Sequence, residues 1–133
     1  MLNYPQVALD SMNRDHAKFA SLRDKVLGVL SAQFTDAEVD TLLDELLEHT
    51  RRHFAEEERL MQEIQFQLLY LHKSEHDSVL AEMSTQIERW KHGRDAAALR
   101  DWLEHTVSEW FVNHVSTRDT VTSGFIRTKH KAD

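Results

Sequence analysis

Helix breakers are almost missing from this chain, and that most constrains what it can fold into. Three glycines and one proline are spread over 133 residues. A turn-rich β fold needs many more of both, so the expectation is an all-helical protein. Hydrophobic periodicity divides the chain into four amphipathic segments, at about 10–32, 36–65, 67–91 and 95–116. Thr35 followed by Glu38 forms a capping box for the second. Gly93 is placed to end the third, and Asp95 to cap the fourth. Four long helices with short connections predict an antiparallel up-down four-helix bundle. The length suits one domain spanning residues 1–133, large enough to bury a core without staples. Beyond Asp119 the tail VTSGFIRTKHKAD is polar and expected to be only partly ordered.

Composition then removes whole classes of function. With no cysteine, disulfides, thiolate metal sites, cysteine nucleophiles and iron–sulfur clusters are excluded. Its absence fits a reducing compartment. No apolar run reaches the ~20 residues of a membrane span. The start MLNYPQVALDSMNRDH has neither a basic nor an apolar signal region, so a cytoplasmic protein is expected. A net charge of −7, with basic residues scattered among acidic ones, argues against nucleic acid and anionic membrane as partners.

Nine histidines are the anomaly, and helix geometry sorts them. A helix turns ~100° per residue. With His53 at the origin of the second helix, Val39, Leu42, Leu46, Leu60 and Ile64 fall within roughly 40° of it, and Glu57 shares that stripe. Glu56 lies beside it with Arg52 and Glu63, while Glu58 faces outward. The third helix carries His72 and His76 on one face with Leu68, Leu69, Val79, Met83, Ile87 and Trp90. The fourth aligns His114 with Leu103, Val107, Trp110 and Phe111, and Asp119 follows where that helix is expected to end. On the first, His16 shares a face with Leu9, Met12, Ala20, Leu27 and Leu30. His49, His92, His105 and His130 fall off these stripes and are read as surface residues. Met12, Met61 and Met83 read as core filler.

A lone core histidine is more often a hydrogen-bonded structural residue than a ligand. A carboxylate in an apolar stripe, however, is costly unless paired or metal-bound. Five inward histidines and two inward carboxylates from all four helices point to metal. Mixed nitrogen and carboxylate donors suit iron, manganese or zinc rather than magnesium or calcium. The number of donors exceeds one ion's needs and matches two.

The order of these residues resembles the ligand signature of the hemerythrin family, in particular its single-domain bacterial members. That signature is a lone histidine, then HxxxE, HxxxH and HxxxxD. Here it reads His16, His53 to Glu57, His72 to His76, and His114 to Asp119, covering almost the whole chain. The resemblance implies a four-helix bundle around a non-haem di-iron centre that binds O2. It assigns His72, His76 and His114 to one iron and His16 and His53 to the other, which keeps an open position for O2. By the same resemblance, Glu57 and Asp119 would bridge the two irons together with an oxo or hydroxo group. The chain departs from the pattern at four places. The first motif reads ALDSMNRDH, without the usual acid and glutamine. The N-terminal aromatic is Tyr4. Thr122 stands where an aromatic is common, and Arg23 where an aliphatic is expected. Reversible O2 binding for storage, delivery or sensing is the leading reading. The alternative is a redox enzyme on the same centre: a peroxidase, an oxidase or a nitric-oxide-handling protein. A signalling module would need a separate partner, and Trp102, read as projecting away from His114, is the candidate contact residue.

Overall fold

The computed structural model describes residues 2–132, with side chains as far as residue 129. It is all-helical: four long helices form a bundle, as the periodicity requires. Helix α1 is Asp10–Leu30, α2 is Asp36–Glu63 and α3 is Leu69–Gly93. Helix α4 starts at Ala96 and continues to Ala132 through two π-helical stretches, Trp102–Val107 and Val115–Asp119. No helix among the described residues is long and apolar enough to cross a membrane.

The starts and stops follow local chemistry. The Thr35 side chain accepts from the Glu38 N–H, and Glu38 reaches back to Thr35, completing the capping box. Asp95 Oδ1 accepts from Ala98 N at 3.0 Å. The left-handed residue after α3 is not Gly93 but Arg94, with φ of 53°. Arg94 gains from the position: its guanidinium grips Asp40 at 2.6 Å and 3.2 Å and lies over the Trp90 ring. The α2–α3 break has no glycine either. Gln65 takes φ of 53°, and Phe66 N closes the turn on Met61 O at 2.9 Å.

The buried stripe of α2 runs Val39, Leu43, Leu46, Thr50, Phe54, Glu57, Met61. This corrects the helical wheel by about one residue. Leu43 replaces Leu42 at the core, Leu60 and Ile64 are half-buried, and His53 sits at the stripe's edge. The steps of three and four residues keep an ordinary α-helical repeat, so the whole stripe is rotated, with Thr50 and Phe54 at its centre and His53 beside it. Leu68 is exposed because it precedes the first turn of α3, where the wheel does not apply. Met12, Met61 and Met83 are buried as expected.

Helix α4 departs most from expectation. It does not end near Asp119, and the tail packs: Thr122, Ser123 and Ile126 are buried, and Ser123 Oγ accepts from Ala8 N at 3.2 Å. Trp102 does not project outward but is buried in the core. The π turns explain the Trp102 error, since each adds a residue to a turn and shifts every facing carried across it; the tail packs because its few buried side chains, Thr122, Ser123 and Ile126, fall on one face. Hydroxyls satisfy the carbonyls that π winding displaces. Ser108 Oγ donates to Leu103 O at 3.1 Å, and Thr120 Oγ1 to Val115 O at 2.8 Å. Buried Arg23 also donates, through Nε, to Leu103 O at 3.1 Å. Its remaining partner is Asp24, so it touches no ligand candidate.

Candidate metal centre

Each helix brings its signature residue to the bundle interior. His16, Glu57, His72, His76, His114 and Asp119 are buried, and His53 is 10% exposed. In α2, His53 and Glu57 share a face because four residues make about one α turn. In α4, His114 and Asp119 are five apart, and a regular α-helix would set them about 140° apart. The π stretch Val115–Asp119 supplies the missing rotation, since its repeat closes on the fifth residue.

The two carboxylates each face two histidines. Glu57 Oε1 lies 3.0 Å from His53 Nε2, and Oε2 3.1 Å from His76 Nε2. Asp119 Oδ2 lies 2.8 Å from His16 Nε2, and Oδ1 3.1 Å from His114 Nε2. Two groups of ligand atoms result, each converging within 4.8 Å: His16, His53, Glu57 and Asp119, and Glu57, His76 and His114. Glu57 belongs to both. His72 is buried but stands apart from these groups. Its Nε2 is 3.5 Å from Thr122 Oγ1, and its ring meets Phe66 edge-on.

The donor atoms fit a metal ion better than they fit one another. Both Glu57 oxygens, Asp119 Oδ1 and the Nε2 atoms of His53, His76 and His114 have no hydrogen-bond partner. They are near enough to bond but wrongly angled. Buried polar groups are rarely left this way. Six such atoms in one buried cluster, all nitrogen or carboxylate oxygen, suit a transition metal as ligands.

The protonation states agree. Burial works against a charged His53, but Glu57, Asp15 and Asp119 outweigh it and raise its pKa to about 10. His114 is likewise raised, against its burial, by Asp119, Glu57 and Glu75. Burial raises the Asp119 carboxyl, but His114 and His16 more than reverse it and hold the group ionised. Glu57 is lowered too: His53 and His76 overcome burial and the neighbouring Asp119 charge. Burial, joined by the neighbouring His76 and His114, pushes His72 down against the pull of Glu57 and Asp119. In the metal-free site His53 and His114 are therefore imidazolium partners of Glu57 and Asp119, and a cation would replace their protons.

Three orienting carboxylates were missed from the sequence. Asp15 Oδ2 accepts from His53 Nδ1 at 2.8 Å, Glu58 Oε2 from His76 Nδ1 at 2.9 Å, and Glu75 Oε1 from His114 Nδ1 at 3.3 Å. Glu58 is thus half-buried and not on the outer face, while Glu56 is exposed and paired with Arg59. Each helix supplies the acceptor for the next helix's histidine. In the neutral, ligating form such a bond keeps the proton on Nδ1 and leaves the Nε2 lone pair facing inward. The available signal was adjacency, because Asp15, Glu58 and Glu75 each neighbour His16, Glu57 or His76 in the sequence. Arg118 holds Glu75 from outside at 2.8 Å.

Aromatic rings wall the site. Phe54 stacks on His76 at 3.8 Å and Trp110 on His114 at 4.9 Å. Phe111 and Tyr4 meet His16 edge-on, so Tyr4 fills the place of the expected N-terminal aromatic. A cavity of about 10 Å³ lies against His16 and His53. His49 also lines it, which corrects its reading as a surface residue. His49 is half-buried, its pKa is lowered by burial, and its Nε2 donates to Asp15 O at 3.0 Å. His92 and His105 are exposed as expected, and His130 lies outside the residues whose side chains are described.

Comparison with known families agrees with this geometry. A family model described as the hemerythrin HHE cation binding domain matches residues 7–123. The chain belongs to the hemerythrin family. Its relatives include a bacteriohemerythrin of Ralstonia nicotianae, 34% identical over 84% of this chain and 77% of the relative. A bacteriohemerythrin of Aquifex aeolicus is 32% identical over 63% of this chain and 64% of the relative. One of Clostridium acetobutylicum is 27% identical over 86% and 90%. No solved structure matches the chain. The hemerythrin signature and the buried cluster together identify a metal-binding protein of this type.

Proposed function

We propose that this chain binds dioxygen reversibly at a non-haem di-iron centre. His16 and His53 would hold one iron and His72, His76 and His114 the other, with Glu57 and Asp119 bridging. One observation carries the reading. Each buried carboxylate turns one oxygen toward the His16–His53 side and the other toward the His76–His114 side. A bridging carboxylate needs that arrangement, and a single ion would not use it. Ferrous iron supplies the two electrons that O2 accepts on binding.

The protein's part is to restrict the ligand and keep acids away from it. The cavity beside His16 and His53 has about 10 Å³ of free space, the room that one water-sized molecule occupies. Space on this scale favours a ligand of a few atoms over a bulky one. An oxidase or peroxidase would need an acid at the ligand to drive O–O cleavage. Apart from the ligand candidates, the cavity wall holds two titratable groups, Asp15 and His49. Asp15 is lowered by its hydrogen bond from His53, and His49 is lowered by burial and donates its Nε2 proton to a carbonyl. Neither is poised as an acid, which favours the carrier over the enzyme. Optical spectra of the iron-loaded, reduced protein test this. One oxygenated species should form in air and revert under vacuum over several cycles. Rapid multiple turnover of peroxide or of a reductant would replace the carrier with an enzyme.

A further inference from the structure

Two cavities meet at one side chain on the α1–α2 seam. The inner one lies against His16 and His53, with Asp15, His49 and Thr50 in its wall. The outer one is an open groove of about 520 Å³, bordered by Lys18, Leu22, Asp44, Glu48 and Arg52. Among the described residues, His49 is the one that lines both. The residue is half-buried. Its ring lies parallel to the His53 ring at 6.4 Å. Its position is fixed from the neighbouring helix, because Nε2 donates to the Asp15 backbone carbonyl at 3.0 Å. The Asp15 carboxylate holds His53 at 2.8 Å, so one residue of α1 pins both imidazoles. Behind His49 the wall is closed by buried Thr50, whose hydroxyl is committed to Leu46 O at 2.7 Å.

We propose that the His49 ring is the partition between solvent and the inner cavity, and that it sets the rate at which a small ligand reaches the His16–His53 side. The proposal takes its ligand from the di-iron reading above, but its geometry does not depend on iron. A partition has a distinctive consequence. It lies on the path and not at the destination, so removing it changes entry and exit by the same factor and leaves the equilibrium constant alone. A residue that stabilised the bound ligand would instead change the equilibrium constant, mainly through the dissociation rate.

His49→Ala and His49→Gln separate these roles. Alanine opens the seam and suits a helix interior. Glutamine retains most of the bulk and a donor for Asp15 O. The first measurement is stopped-flow binding of azide to the oxidised, iron-loaded protein. In His49→Ala, association and dissociation should both accelerate several-fold with an unchanged dissociation constant, and His49→Gln should stay near wild type. The second uses metal-free protein: broadening of the His16 ring-proton NMR signals by dissolved O2, read at a temperature where entry limits it, so that it reports the entry rate and not the occupancy. It should grow in His49→Ala but not in His49→Gln, while His72, which does not line this cavity, should be unaffected. Unchanged azide rates, a shifted dissociation constant, or unchanged His16 broadening in His49→Ala would each overturn the partition. If no iron binds at all, the di-iron reading fails, and the metal-free measurement still decides the role of His49.

Discussion

Helices α2 and α4 each carry a histidine and a bridging-type carboxylate, yet they place them by different means. In α2 the pair is four apart, and ordinary α winding puts both side chains on one face. In α4 the pair is five apart, and a π turn is needed to bring Asp119 under His114. The first arrangement follows from any helix that forms. The second depends on a local rewinding supported by Thr120 Oγ1, which caps the displaced Val115 carbonyl. The same geometry at the metal thus rests on a robust element on one side and on a conditional one on the other.

The largest effect should come from disturbing α2. Inserting one alanine between His53 and Glu57 rotates every following residue by about 100° and turns Glu57 out of the site. Metal analysis after loading should find the centre empty. Glu57→Gln should lose metal severely, whereas Glu56→Gln, which alters an exposed group paired with Arg59, should retain it. Equal losses from the two glutamine variants would mean that the facing of α2 is misassigned.

The orienting carboxylates should matter less. Asp15→Asn, Glu58→Gln and Glu75→Gln should each weaken metal affinity by about 10–100-fold, the range typical of groups that orient ligands. Competition with a chelator of known affinity measures this. Glu75→Gln should fall at the low end, since its 3.3 Å bond to His114 is longer than the other two. An effect as large as that of Glu57→Gln would make these groups ligands instead.

Proton competition gives a smaller, graded effect. His53 in the metal-free fold has its pKa raised to about 10, above the ~6.5 of an unfolded histidine. Its contribution to metal-free stability is therefore complete below the unfolded value and is lost as pH rises through about 10. Metal binding must expel that proton, so affinity should climb with pH across this window and each ion bound should release protons. Calorimetry in buffers of different ionisation enthalpy counts them, and zero protons released would contradict the pairing of His53 with Glu57.

The smallest effect should come from shortening α4. Deleting exposed Ser116 removes the extra residue of the second π turn. It makes the pair four apart and leaves the register of Thr122 and Ile126 intact. The shortened chain should keep its metal and should melt at or above the wild-type temperature. Metal loss would show that the π turn sets ligand geometry more finely than facing alone.

Legibility in the sequence follows the same division. Where winding is regular, in α1 to α3, periodicity marks the bundle, the methionine core and the inward histidines to within one residue. The misplaced Leu42 reflects a stripe rotated by about one residue and nothing more. Where winding changes, the wheel fails. Trp102 is buried against expectation, and the segment after Asp119 is helical and packed. The hydroxyls that support the π turns, Ser108 and Thr120, stand five residues after the carbonyls they satisfy, a spacing that an α-helical reading does not look for. The resemblance named His114 and Asp119 together without explaining how one helix could present both. Residues that act across helices, such as Asp15 and His49, carry no periodic signal, because their partners are set by packing.

The central claim is that Glu57 and Asp119 each join two metal ions. Anomalous X-ray diffraction from crystals of the iron-loaded protein tests it most directly. Two iron peaks should appear in each chain, about 3.5–4 Å apart as in bridged dinuclear sites, with one oxygen of Glu57 and one of Asp119 on each. A single iron peak, or two irons with either carboxylate bound to one of them alone, would contradict it.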